Sequence, residues 1–123
     1  MKHSSAFLAL VNDAKSRINE MDIDDVKQWM DQNIPVVLID VREESEWHYG
    51  YIPGAIHLGK GIIERDIEAR YPDHDIQIVL YCGGGFRSAL AADNLQKMGY
   101  RNVVSMKGGI SEWKNADYPV TIT

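Results

Sequence analysis

The sequence predicts an α/β fold in three layers, a central parallel sheet with helices on both faces. Three observations carry this reading. The run Val36 to Ile39 is β-branched and continuously apolar rather than alternating, which suits a strand covered on both sides, and Ile76 to Tyr81 reads the same way, Val103 to Met106 more weakly. Amphipathic or polar stretches at helical spacing separate them, and strand–helix alternation implies crossovers into one parallel sheet. The length, 123 residues, is that of one domain with room for one core. The expected organisation is therefore a single domain over residues 1–123, with residues 1–20 forming an N-terminal helix packed on it.

Element by element, Ser4 or Ser5 is placed to cap a first helix whose apolar residues Phe7, Leu10, Val11, Ala14 and Ile18 recur at helical spacing. Asp22 is the expected N-cap of a second, with Val26, Trp29 and Met30 on its buried stripe; Asn33 lies near its end and Pro35 forbids continuation. The strand Val36–Ile39, closed by Asp40, leads to a helical stretch Glu43–Tyr49. After the turn pair Pro53-Gly54, Ala55–Leu58 reads as a short strand. Helical stretches at Gly61–Tyr71, at Ser88–Met98 with Gly99 as its stop, and at Ile110–Asn115 complete the alternation.

Composition narrows the function. A 45% hydrophobic and 25% charged chain is an ordinary globule, and a net charge of -5 argues against a surface that tracks nucleic-acid phosphates. The apolar run Ala6–Val11 is too short for a typical signal-peptide core, and nothing approaches a membrane span. A single cysteine excludes an internal disulfide, a Cys-x-x-Cys pair and a zinc ribbon, and a lone thiol suits a reducing compartment, here expected to be the cytoplasm.

In open α/β sheets ligands bind beyond the carboxyl ends of the strands. There the strand ending at Tyr81 runs into Cys82-Gly83-Gly84-Gly85-Phe86-Arg87, with Ser88 expected to open the next helix. Three glycines permit positive-φ conformations and let several N–H groups converge into an anion-binding nest. The helix N-terminus adds positive potential, and Arg87 can contribute donors or hold the loop. Such surroundings favour a thiolate, the reactive form of cysteine. A tight turn around an inert buried cysteine would need one glycine, not three.

With these residues in view the chain resembles the rhodanese family from the second helix onward. Val37-Leu38-Ile39-Asp40-Val41-Arg42-Glu43 is similar to the family's first signature, and Gly50-Tyr51-Ile52-Pro53-Gly54-Ala55 to the segment that follows. The loop Cys82 to Arg87 with Ser88, then Gly108-Gly109 and Trp113, complete the likeness. Tyr51 stands where the family usually has histidine, at a position generally regarded as structural. The resemblance implies a sheet of about five strands and a thiosulfate sulfurtransferase activity. Cys82 would take sulfane sulfur from thiosulfate or a related donor, hold it as a persulfide, and pass it to cyanide or a thiol acceptor, including a thioredoxin-like protein. It implies no metal and no organic cofactor.

On this reading Cys82 is catalytic and Gly83, Gly84, Gly85, Phe86 and Arg87 form the loop that binds the substrate anion. Asp40, Arg42 and Ser88 are supporting, the first two as a buried pair that positions the loop. Two rivals remain. One is a rhodanese-like module that relays sulfur to, or binds, a protein partner without turnover. The other, a cysteine-based phosphatase or arsenate reductase, has five residues between cysteine and arginine and a histidine before the cysteine. Here four residues intervene and Tyr81 precedes Cys82.

The remaining polar candidates read as structure. His3, His48, His57 and His74 lack metal-ligand spacing, and Gly59-Lys60-Gly61 lacks the other residues of a phosphate loop. Trp29, Trp47 and Trp113 are expected core or interface anchors. Phe86 either walls the pocket or points into the fold, and Lys107 is expected to be a solvated surface lysine.

Overall fold

The computed structural model describes residues 2–122. Helix α1 (Ser5–Lys15) opens with Ser4, whose Oγ accepts the Phe7 amide, and is followed by strand β1 (Asn19–Met21). Helix α2 (Ile23–Asp31) precedes β2 (Val37–Asp40), α3 (Glu44–Trp47) and β3 (Ile56–His57). Then come α4 (Ile63–Arg70), β4 (Gln77–Tyr81), α5 (Phe86–Lys97), β5 (Asn102–Met106) and α6 (Gly109–Asn115).

Two helix ends show why the sequence stops where it does. Asn33, at φ 56°, and Gly99, at φ 101°, each follow a helix in the left-handed conformation. In both cases the two amides past the C-cap turn back to the last turn, Asn33 to Met30 O and Ile34 to Trp29 O, Gly99 to Gln96 O and Tyr100 to Leu95 O. This double closure is the Schellman arrangement, for which glycine and asparagine are the suited residues.

All strand pairings are parallel, in the order β1-β5-β4-β2-β3. The chain moves outward in one direction from β2 to β3 and in the other from β4 to β5, so the loops after β2 and β4 diverge. That divergence is the point at which such sheets hold their ligands.

Side chains alternate across the sheet with period two. On one face Ile78 and Leu80 of β4 join Ile39, Ile63, Ile67, Ala91, Ala92, Leu95 and Val103. On the other, Val79 and Tyr81 meet Val26, Leu38, Met106, Ile110 and Trp113. Helices α4 and α5 thus cover one face, α2 and α6 the other. Continuing the alternation sends the residue after Tyr81 toward α5, and Cys82 belongs to that cluster.

Helix α1 packs against α5, burying Val11 and Ala14, and Arg17 binds both carboxylate oxygens of Asp93 at 3.0 and 2.8 Å. Its expected stripe is only half buried: Leu10 is 56% exposed and Ile18 lies beyond the helix. Strand β1 carried no sequence signal, because three residues at a sheet edge, Asn19-Glu20-Met21, show neither an apolar run nor alternation.

Candidate active site

Strand β4 delivers Cys82 into a loop that closes around its own sulfur. The side chain is 1% exposed. The Gly85 amide donates to Sγ at 3.1 Å and the Ser88 amide at 3.4 Å, while Ser88 Oγ lies 3.5 Å away. The thiol donates to that hydroxyl, while the two amides directed at the sulfur are donors that suit an anionic form. Among the described residues, the amides of Gly83, Gly84, Phe86 and Arg87 have no protein acceptor, so the same loop retains donors for an incoming anion.

The glycines divide their work differently from the expectation. Only Gly85 adopts a positive φ, 96°, and a Cβ there would sit 3.2 Å from the Gly108 amide nitrogen. Gly84 faces nothing closer than the Phe86 ring at 3.7 Å. Helix α5 begins at Phe86 with Gly85 as its cap, two residues earlier than expected. Ser88 therefore does not open the helix. It sits in the first turn, where an unpaired helical amide and its own hydroxyl can both face inward.

The loop is held from behind by α6. The amides of Ile110 and Ser111 donate to the carbonyls of Cys82 and Gly83 at 2.9 and 3.0 Å. This approach explains the Gly108-Gly109 pair. Both have positive φ, and a Cβ on Gly109 would collide with the Cys82 and Gly83 carbonyl oxygens.

Arg87 holds the loop from in front. Its guanidinium grips Glu46 of α3 with two bonds, 2.6 and 3.0 Å. That hydrogen bond is the main reason the Glu46 carboxyl is held below its ordinary range. Glu46 also closes a capping box, accepting the Glu43 amide at 3.1 Å while Glu43 accepts in return. Beside the ion pair opens a cleft of about 620 Å³, lined by Lys2, His3, Ser4, Phe7, Glu46 and Arg87. Phe86 does not wall the sulfur: its ring packs toward α1, 4.7 Å from His3 and 6.4 Å from Phe7.

Asp40 and Arg42 form a buried pair, but among the described residues none of its side-chain hydrogen bonds reaches residues 83–88, the loop it was expected to position. Arg42 binds both oxygens of Asp40, the shortest bond 2.7 Å, and donates to the Gly50 carbonyl at 2.7 Å. Both are under 5% exposed. Tyr81 points to the opposite face, where its hydroxyl accepts the Ile52 amide at 3.0 Å; burial raises its pKa, so it stays a neutral phenol. Tyr51 stacks on Trp47 with centroids 3.7 Å apart and bridges Thr121, so the departure from histidine is accommodated by packing. Lys107 is exposed, and among the described residues no group of three His, Cys, Asp or Glu is placed to hold a metal.

Two site residues escaped the sequence reading, Glu46 and Ser105. The first had a signal in the Glu43-x-x-Glu46 box. Ser105, wholly buried on β5, lies 2.8 Å from Ser88 Oγ; a polar residue inside the run Val103–Met106 marks a buried partner only in retrospect.

Comparison with known proteins agrees with this geometry. The pattern of the Rhodanese-like domain matches residues 22–116. A sulfurtransferase of Allochromatium vinosum is 32% identical over 103 residues, covering 84% of this chain and 94% of its own. YrkF of Bacillus subtilis, named as a sulfur carrier, is 31% identical over 98 residues, 80% of this chain; the match spans 52% of YrkF, about half its length. Among solved structures, RPA3614 of Rhodopseudomonas palustris superposes with a TM-score of 0.85 at 28% identity, covering 98% of each chain. It is described as a protein of unknown function and a possible tyrosine phosphatase. With a cysteine loop of this form at the divergence of a parallel five-stranded sheet, and the family pattern running from the start of α2 past the end of α6, this chain belongs to the rhodanese-like family.

Proposed function

We propose that the chain is a sulfurtransferase that carries sulfane sulfur on Cys82, with thiosulfate or a chemically related anion as donor and cyanide or a thiol as acceptor. The observation that carries the reading is the convergence of the Gly85 and Ser88 amides on Sγ, with four further loop amides that have no protein acceptor among the described residues.

In the first step the Cys82 thiolate attacks the outer sulfur of thiosulfate. The new S–S bond forms as the old one breaks, and its electron pair leaves with sulfite. The persulfide keeps one negative charge, now on the outer sulfur, where the amides of Gly83, Gly84, Phe86 and Arg87 have donors to offer. In the second step an acceptor attacks that outer sulfur and the electron pair of the S–S bond returns to Sγ. With cyanide the product is thiocyanate. Neither step moves a proton at carbon or oxygen, so the site needs preorganised dipoles rather than a general base. The covalent persulfide makes a separate cofactor unnecessary. A thiol that must return to its free form suits a reducing compartment such as the cytoplasm.

Two rivals meet specific observations. The near-complete burial of Cys82 and the sulfur-carrier name of one relative favour a relay to a protein thiol, such as that of a thioredoxin-like partner. The description of RPA3614 raises phosphatase chemistry. Against it stand the loop of four residues between Cys82 and Arg87 and the engagement of both Arg87 terminal nitrogens by Glu46, which holds that end of the guanidinium against α3. Thiocyanate formation from thiosulfate and cyanide, lost in Cys82→Ser, supports transfer to small acceptors. Para-nitrophenyl phosphate hydrolysis at comparable rates with no thiocyanate would overturn it.

A further inference from the structure

Behind the reactive sulfur lies a chain of hydroxyls that the steps above do not use. Ser88 Oγ is 3.5 Å from Cys82 Sγ and 2.8 Å from Ser105 Oγ, and both serines are completely buried. Ser88 belongs to the first turn of α5 and Ser105 to β5, so two elements bring the pair together. Ser105 has no other side-chain hydrogen bond among the described residues.

We propose that Ser105 is a positioning residue for Cys82, acting through Ser88 by a hydroxyl chain whose direction reverses with the charge on sulfur. This rests on the sulfurtransferase reading for its second consequence only.

Each hydroxyl has one proton to give and lone pairs to accept with. With a neutral thiol, S–H donates to Ser88 Oγ, whose proton then goes to Ser105 Oγ. With a thiolate, sulfur has nothing to give. Ser105 then donates to Ser88 Oγ, which leaves the single Ser88 proton directed at the anion. A serine in a helix otherwise tends to return its hydroxyl to a carbonyl one turn back. An external donor on Ser88 Oγ polarises its O–H and strengthens the bond it makes to charged sulfur. Ser105 therefore favours the charged state without touching it.

Two consequences follow. At neutral pH Cys82 reacts faster as a nucleophile when Ser105 is present. When an acceptor removes the outer sulfur, the electron pair of the S–S bond returns to Sγ, and the same chain stabilises that departing thiolate.

The test compares Ser105→Ala with the unaltered protein. Iodoacetamide alkylation of Cys82 at pH 7 should slow about fivefold, the worth of one ordinary hydrogen bond. On the high-pH plateau, where the thiol is fully ionised in either protein, the two rates should agree. Cyanide-driven thiocyanate release from protein preloaded with sulfur should slow by a similar factor. Adding Ser105→Ala to Ser88→Ala should change nothing more, because the first residue acts through the second. Should Ser105→Ala fail to fold, Ser105→Thr and Ser105→Val supply a pair of equal shape that differs in the hydroxyl, and only Val should show the loss. A pH 7 rate unaltered by the change, an equal loss at all pH values, or additive losses in the double variant would overturn the proposal. If the unaltered protein takes no sulfur from thiosulfate, the sulfurtransferase reading fails while the alkylation comparison still decides the role of Ser105.

Discussion

The amide of Gly85 points at the sulfur of Cys82 across 3.1 Å, and it can do so because Gly85 takes a φ of 96° with the Gly108 backbone close against it. A side chain at Gly85 meets both a disfavoured conformation and a neighbouring main chain. Left-handed backbone costs an ordinary residue about 1–2 kcal/mol.

Gly85→Ala is therefore expected to lower stability by about that amount and to move the amide off sulfur. Gly84→Ala, at negative φ with only the Phe86 ring nearby, should leave both stability and sulfur loading close to those of the unaltered protein. Urea midpoints and loading rates for the two variants measure the difference; equal effects at both positions would contradict the assignment of roles within the loop.

Arg42→Ala should act on stability before activity. It strands the Asp40 carboxylate in the interior, and breaking a buried ion pair on one side typically costs about 3–5 kcal/mol. Arg42→Lys should rescue little, since one ammonium cannot reproduce the fork that grips Asp40 and reaches the Gly50 carbonyl. A stable Arg42→Ala protein with transfer selectively abolished would show instead that Arg42 acts on substrate.

The Arg87–Glu46 pair gives the loop an acid limit. Glu46 is held below its ordinary value of 4.5, first by the hydrogen bond from Arg87. A carboxyl depressed in the folded state contributes stability that is present above its unfolded value and lost as pH falls through its folded one. The pair should thus hold the loop fully above about pH 5 and weaken progressively below the ordinary value. Glu46→Gln should flatten that part of the stability profile, measured by urea midpoints at successive pH values. It should also slow loading several-fold at neutral pH, because the loop loses its anchor on α3 while keeping its cradle.

The layer arrangement was legible because residues 37–39 of β2 and residues 78–81 of β4 are continuously apolar and the intervening helices are not. Cys82 was legible for a local reason: three glycines between a cysteine and an arginine at a strand end have few other uses. What stayed hidden depends on contacts distant in the chain. Glu46 is 41 positions from Arg87, and Ser105 is 17 from Ser88. Nothing in the neighbourhood of either residue records which element it will face. The same holds for β1, which is a strand only because β5 offers it an open edge. In the sequence Gly108-Gly109 is only part of a resemblance, and its physical purpose, letting α6 bind the carbonyls behind Cys82, depends on the folded chain.

The central claim, that this backbone cradle equips Cys82 to accept and hold a second sulfur, is met most directly by intact mass. The purified protein would be weighed after reduction, after exposure to thiosulfate, and again after cyanide, with Cys82→Ser carried through the same steps. The expected result is a gain of one sulfur atom with thiosulfate, its removal by cyanide, and no change at any step in the serine variant. A mass that does not respond to thiosulfate or related sulfur donors, or a gain that persists in Cys82→Ser, would contradict it.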